Sequence, residues 1–153
     1  MSSKHFWVIL ALLVSLPAPA LEITFVGPCD STPLASTSLQ APDHSSVGDL
    51  TIAVLSEAGH PFEGTAQGLL SAFGTPTGLD ALEVVSDEEL RAYGWCFLVN
   101  GQLPDLTADA VPVTQELREI RWFFGYATSR RGEWIDMCRP AAELKPKFLC
   151  ESR

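Results

Sequence analysis

The chain has 153 residues, which suits one domain with one modest core. Hydrophobic residues make up 46% and charged residues 19%, a mix that excludes a disordered or collagen-like chain. The net charge is −9, from 19 Asp+Glu against 10 Lys+Arg. That acidity repels phosphate backbones and anionic lipid headgroups, so nucleic acid and membrane surfaces are poor partners.

The first segment has the character of an address. A short polar start carries Lys4, and Phe6 to Leu16 is an apolar run of eleven residues broken only by Ser15. Pro17-Ala18-Pro19-Ala20 follows, with Ala18 and Ala20 in the small-x-small pattern of a signal-peptidase site. A membrane-spanning helix needs about 20 apolar residues, so the run predicts a cleaved signal peptide over 1–20 and not a retained anchor. Pro28 before Cys29 departs from a lipoprotein pattern. Export to the periplasm or beyond is expected, with no membrane attachment after processing. Removing residues 1–20 takes one basic residue, Lys4, and no acid, which brings the net charge to −10.

Leu21 to Phe25 alternates apolar and polar, the period of a half-buried strand, and Gly27-Pro28 ends it. Leu34 to Gln40 is more polar and is expected as an edge strand paired back on the first. Ser46 has the position of an N-cap, with Asp49 three residues on. Val47, Leu50, Thr51, Val54, Leu55 and Ala58 follow at helical spacing, and Gly59 and Pro61 stop the helix. Gly68 to Phe73 is expected as a short strand. Ser86-Asp87-Glu88-Glu89 has the form of a capping box, which predicts a short helix up to Gly94. Trp95 to Val99 is expected as a strand, with Asn100-Gly101 as a tight turn. Arg118 to Tyr126 alternates again: Ile120, Trp122, Phe124 and Tyr126 share one face, and Arg121 and Phe123 share the other. Residues 128–153 are expected to form an irregular C-terminal extension. The order predicts an α+β fold, a mixed sheet with one main helix on one face.

The exported part holds all four cysteines, Cys29, Cys96, Cys138 and Cys150, and an oxidising compartment makes disulfides the expected state. No C-x-x-C pair exists and no histidine sits beside a cysteine, so no metal site or cofactor is expected. Three pairings are possible. Cys138–Cys150 would close a short local loop and leave Cys29 with Cys96, and this is the favoured pairing. Only His44 and His60 remain as bases after processing, both in expected loops, and no G-x-S-x-G elbow is present. Catalysis is therefore not expected. Asp105, Thr107, Asp109 and Glu116 match positions 1, 3, 5 and 12 of a calcium loop. Ala110 replaces the required glycine and Pro112 and flanking strands conflict with the motif, so a solvated turn is expected there.

Trp95 to Gly101 (WCFLVNG), Pro104-Asp105, Ala108 to Val113 (ADAVPV) and Trp122 to Gly125 occur in one order. Over 21–127 that order resembles a bacterial exported domain family of unknown function, related to the C-terminal domain of transcobalamin and intrinsic factor. The resemblance implies a β-grasp (ubiquitin-like) architecture for 21–127. Because the first and last strands of a β-grasp sheet run side by side, it also keeps a rival pairing open, Cys29–Cys138 with Cys96–Cys150.

Trp95, Phe97, Trp122, Phe123, Phe124, Tyr126 and Trp134 fall within forty residues. One face of the last strand must look away from the helix. Either the extension and Trp134 cover that face, or it is an aromatic platform for a flat ligand or partner. The expected function is an exported, non-enzymatic binding module for a small, partly apolar molecule or a peptide, with Trp122, Phe124, Tyr126 and Trp134 as ligand-binding residues. The alternative is an accessory protein docking on another exported protein through an edge strand.

Overall fold

The computed structural model describes residues 20–40 and 45–151. The leader expected over 1–20 therefore lies, but for Ala20, outside the described residues, as does His44. The architecture is mixed α/β, mostly strands around one main helix. Strand β1 (Leu21–Val26) pairs antiparallel with β2 (Pro33–Leu39), and helix α1 (Val47–Glu57) follows. A small hairpin, β3 (Phe62–Thr65) and β4 (Gly68–Ala72), then leads to β5 (Leu82–Ser86), β6 (Glu89–Val99), β7 (Glu119–Arg130) and β8 (Glu133–Pro140). The main sheet runs β2-β1-β7-β6-β5, with β7 parallel to β1 and antiparallel to β6. Strand β7 is long enough to serve two neighbours on the same side. Its first half, Glu119 to Phe123, lies beside β1, and its second half, Gly125 to Arg130, lies beside β8.

Helix α1 begins as its sequence dictates. Ser46 is extended (φ −136°, ψ 161°), and its hydroxyl accepts from the Asp49 N–H at 3.1 Å and donates to the Asp49 carboxylate at 2.7 Å. Gly59 closes the helix with φ +68°, where a side chain would be strained. Val47, Leu50 and Leu55 are buried against the front of the sheet.

Two expectations are corrected. Ser86 to Glu89 is no helix start: Ser86 and Glu89 are cross-strand partners in the β5–β6 hairpin. The Ser86 hydroxyl accepts from the Glu88 N–H at 3.3 Å, the local bond that serves a turn as readily as a helix cap. Residues 128–153 are not an irregular extension. Strand β7 continues through 127 to Arg130, and a two-residue turn with positive φ at Arg131 (51°) and Gly132 (83°) returns the chain as β8. After β8 come a 3-10 turn (Ala141–Glu143) and the short helix α2 (Lys147–Cys150).

Candidate binding site

Alternation along β7 sorts its side chains between two faces. Ile120, Trp122, Phe124 and Tyr126 face α1, together with Tyr93, Trp95 and Phe97 of β6 and Ile23 and Phe25 of β1. Trp122 is 1% exposed and Phe124 0%. Their rings interlock: Phe97 stacks on Trp122 with centroids 4.9 Å apart, and Trp95 meets Phe124 edge-on at 5.7 Å. Buried indole N–H groups need acceptors, and each finds a threonine. Trp122 Nε1 donates to Thr51 Oγ1 at 2.9 Å, and Trp95 Nε1 donates to Thr75 Oγ1 at 2.8 Å.

Three of the four expected ligand-binding residues are thereby placed in the core. Trp122, Phe124 and Tyr126 are buried, Tyr126 beside Tyr93, whose ring meets Phe148 of α2 at 5.4 Å, and they offer no open platform. Only Trp134, on β8, is exposed, at 55%. The structure does not bring it together with the other three as one surface.

The opposite, back face is built differently. Across β1, β7 and β6, Val26, Phe123 and Cys96 form one row, and Thr24, Arg121 and Leu98 form the next. Phe123 is 5% exposed although it faces away from α1. It is covered by the disulfide Cys96–Cys138 (Cα–Cα 5.9 Å), which passes over β7 at Gly125. A Cβ on Gly125 would lie 3.3 Å from Cys96 Sγ and 3.1 Å from the Arg139 carbonyl oxygen, so any larger residue at the crossing would have to push its neighbours back by a few tenths of an ångström. Cys138 reaches over because β8 is irregular there. Cys138 has φ +52°, and Asp136 Oδ1 takes the Thr128 N–H at 2.7 Å.

The second disulfide is Cys29–Cys150, with Cα–Cα 5.3 Å. The pairing therefore corrects both the favoured arrangement, Cys29–Cys96 with Cys138–Cys150, and its rival. The local Cys138–Cys150 loop does not form because β8 holds Cys138 over the sheet, while residues 141–150 carry Cys150 to the end of β1, where Cys29 lies.

Between these two links the back face opens into a cleft of about 500 Å³. Val26, Leu98 and Phe123 give it apolar surface; Arg121 lies on the same face. Gly27, Asp30 and Ser31 at and after the end of β1, Phe124 of β7, Cys138 and Pro140 of β8, and Ala142, Glu143 and Lys145 beyond it complete its lining. This volume falls within the ordinary range of small-molecule sites. Of these residues only Phe124, whose side chain is buried in the core, was expected as a ligand contact from sequence. The signal was the alternation that put Arg121 and Phe123 together on the other face of β7.

No protein-family model matches this chain, and no curated protein matches it. A solved structure similar to it is that of a "putative metal binding protein" from Ruminococcus gnavus ATCC 29149, at 19% identity and TM-score 0.43, covering 69% of this chain and 95% of that one. Among the described residues of this chain no group of three or more His, Cys, Asp or Glu could hold a metal ion. In the segment with calcium-loop spacing, Thr107 Oγ1 donates to Asp109 Oδ1 at 2.6 Å at the start of a 3-10 turn whose Ala108 is buried. Among the described residues no helix is long and apolar enough to cross a membrane.

At the other end of the front face, beyond α1, a polar cluster joins β5, β6 and β7. Tyr93 Oη donates to Glu83 Oε2 at 2.6 Å, Arg91 pairs with Glu83 and Glu89, and Arg130 pairs with Glu89 at 2.9 Å. Burial, reinforced by the bond to Glu83, pushes the Tyr93 phenol well above the usual tyrosine range.

Proposed function

We propose that this chain is an exported, non-enzymatic binding module of β-grasp type, and that its site is the back-face cleft. The observation that carries this reading is a preformed cavity of about 500 Å³ with an apolar floor on three adjacent strands, flanked by segments pinned by disulfides. The β1–β2 hairpin, the following helix and a central β7 parallel to β1 support the β-grasp assignment. The leader pattern over 1–20 and the pairing of all four cysteines support export. Against an enzymatic role, no thiol is free, and His60 packs on the Phe73 ring at 4.8 Å. The test is a thermal-shift screen of the oxidised protein against small molecules, corrinoids included. A ligand that raises Tm is expected, and Ala142→Trp, which fills the cleft, should remove the shift.

A second reading, accessory docking on another exported protein, is supported by β8. That strand pairs on one side only and exposes Trp134, Ile135 and Met137. Cross-linking in the exported fraction should then give a defined adduct that Ile135→Lys suppresses, and its absence counts against this reading.

A further inference from the structure

The cleft's charged groups are not equivalent. Its two acids are engaged within the protein: Glu143 pairs with Arg139 at 3.2 Å, and Asp30 Oδ1 accepts from the Thr32 N–H at 2.7 Å. Its two cations, Arg121 and Lys145, have side chains that make no hydrogen bond or ion pair among the described residues. Arg121 stands between Thr24 and Leu98 in the cross-strand row and lines the cleft together with Val26, Leu98 and Phe123. Lys145 holds φ +49°, a backbone region where glycine or asparagine is usual. Asp30 and Glu143 stand against Arg121, Lys145 and the Arg139 that pairs with Glu143, two negative charges against three positive, so in a chain of net charge −9 the cleft and its rim are a local reversal of sign.

We propose that the cleft takes a small organic anion, with an apolar body on Val26, Leu98 and Phe123 and a single carboxylate- or sulfonate-like group held by Arg121 and Lys145. The guanidinium supplies the planar, paired donors that such a group accepts, and the ammonium adds a second charge from the facing segment. The apolar floor disfavours highly hydrated polyanions such as nucleotides. This inference rests on the binding-module reading and specifies its ligand class.

The test uses two fluorescent probes with one aromatic body, 8-anilinonaphthalene-1-sulfonate and its uncharged analogue N-phenyl-1-naphthylamine, titrated into the oxidised full chain. The sulfonate should bind more tightly. Arg121→Gln and Lys145→Gly should each weaken it about tenfold, the effect of losing one charge-assisted hydrogen bond, and leave the neutral probe unchanged. Lys145→Gly suits the local backbone, so loss of fold does not explain a loss of binding there. Ala142→Trp should abolish both. If Ala142→Trp abolishes both probes but the two charge variants leave sulfonate binding unchanged, the anion claim is overturned and the binding module stands. If neither probe binds, or Ala142→Trp affects neither, both readings fall.

Discussion

Trp122 Nε1 donates to Thr51 Oγ1 at 2.9 Å, and Thr51 Oγ1 in turn donates to the Val47 carbonyl oxygen at 2.7 Å. This chain of two bonds locks the central strand β7 to α1 inside the core, since Trp122 and Thr51 are each 1% exposed. Thr51→Val keeps the shape and leaves a buried indole N–H without an acceptor. It should cost about 1–3 kcal/mol, whereas Thr51→Ser retains the acceptor and should cost less. Urea denaturation followed by tryptophan fluorescence measures both. Equal stabilities for Thr51→Val and the parent would show that the bond contributes nothing.

Tyr93 links pH to stability. Its phenol is held above the ordinary tyrosine value of about 10 first by burial and then by the bond to Glu83. A folded-state value above the unfolded one means that the folded protein binds this proton more tightly. The resulting stability is complete below about pH 10, and it is lost as pH rises through the folded-state value. Denaturation midpoints should fall as pH rises above about 10, and Tyr93→Phe should make that fall shallower. Phenolate absorbance should show one tyrosine ionising later than in the unfolded chain.

How far these features were legible from sequence follows from how local their causes are. Strand β1, its edge partner β2 and helix α1 announce themselves within a dozen residues each, through alternation at Leu21 to Phe25 and the Ser46 and Gly59 boundaries. The Ser86 to Glu89 segment misleads because serine and acidic residues satisfy a turn with the same short-range bonds that cap a helix. Strand β8 is hidden because Trp134, Ile135 and Met137 are all exposed, so no period-2 pattern survives, and the irregularity at Cys138 breaks what remains. Alternation separates the two faces of β7 but does not say which one α1 covers. The denser aromatic face reads as a platform from sequence alone, but its density is that of a core. The cleft depends on where residues 140–145 return in space, which no local pattern encodes.

Trp134 and Trp122 contrast an exposed aromatic side chain with a core one. Trp134 is 55% exposed and Trp122 is 1% exposed. Trp122→Ala should cost about 3–5 kcal/mol, as expected for deleting a buried aromatic. Trp134→Ala should stay within about 0.5 kcal/mol of the parent, as for most surface changes. Denaturant midpoints decide it, and a large loss for Trp134→Ala would place that ring in the core.

The disulfide topology makes a chemical prediction. Peptide mapping without reduction should recover Cys29 linked to Cys150 and Cys96 linked to Cys138, and a Cys138–Cys150 peptide would overturn the arrangement. The links close segments of 121 and 42 residues. In the chain-entropy account, opening them costs at most about 5 and 4 kcal/mol respectively. The Cys29→Ala/Cys150→Ala pair should therefore lose at least as much stability as Cys96→Ala/Cys138→Ala. The cleft gives the two variants different consequences as well, because Cys138 lines it and Cys96 lies on its floor's row, whereas Cys150 only ties down the segment beyond it.

Gly48, in the first turn of α1, has an ordinary helical backbone, so its requirement for glycine is one of space. A Cβ there would lie 1.7 Å from the Ala66 carbonyl oxygen and 2.6 Å from its carbonyl carbon, both main-chain atoms of the β3–β4 turn. No side-chain rotation can relieve that overlap; either the helix or the hairpin must move. The same helix end is tied to the β6–β7 connection by the Val47 N–H donating to the Val111 carbonyl oxygen at 2.8 Å, and Ala108 of that connection donates its N–H to Gln67 at 3.1 Å. Helix, hairpin and connection are thus joined at one point, and Gly48→Ala should destabilise by about 3 kcal/mol or more, at the upper end of overpacking effects. Gly68→Ala, a site with nothing within 4 Å of the added Cβ, is the control and should cost far less. Thermal unfolding of the two variants side by side measures the difference, and equal Tm values would show that the helix does not approach the hairpin this closely.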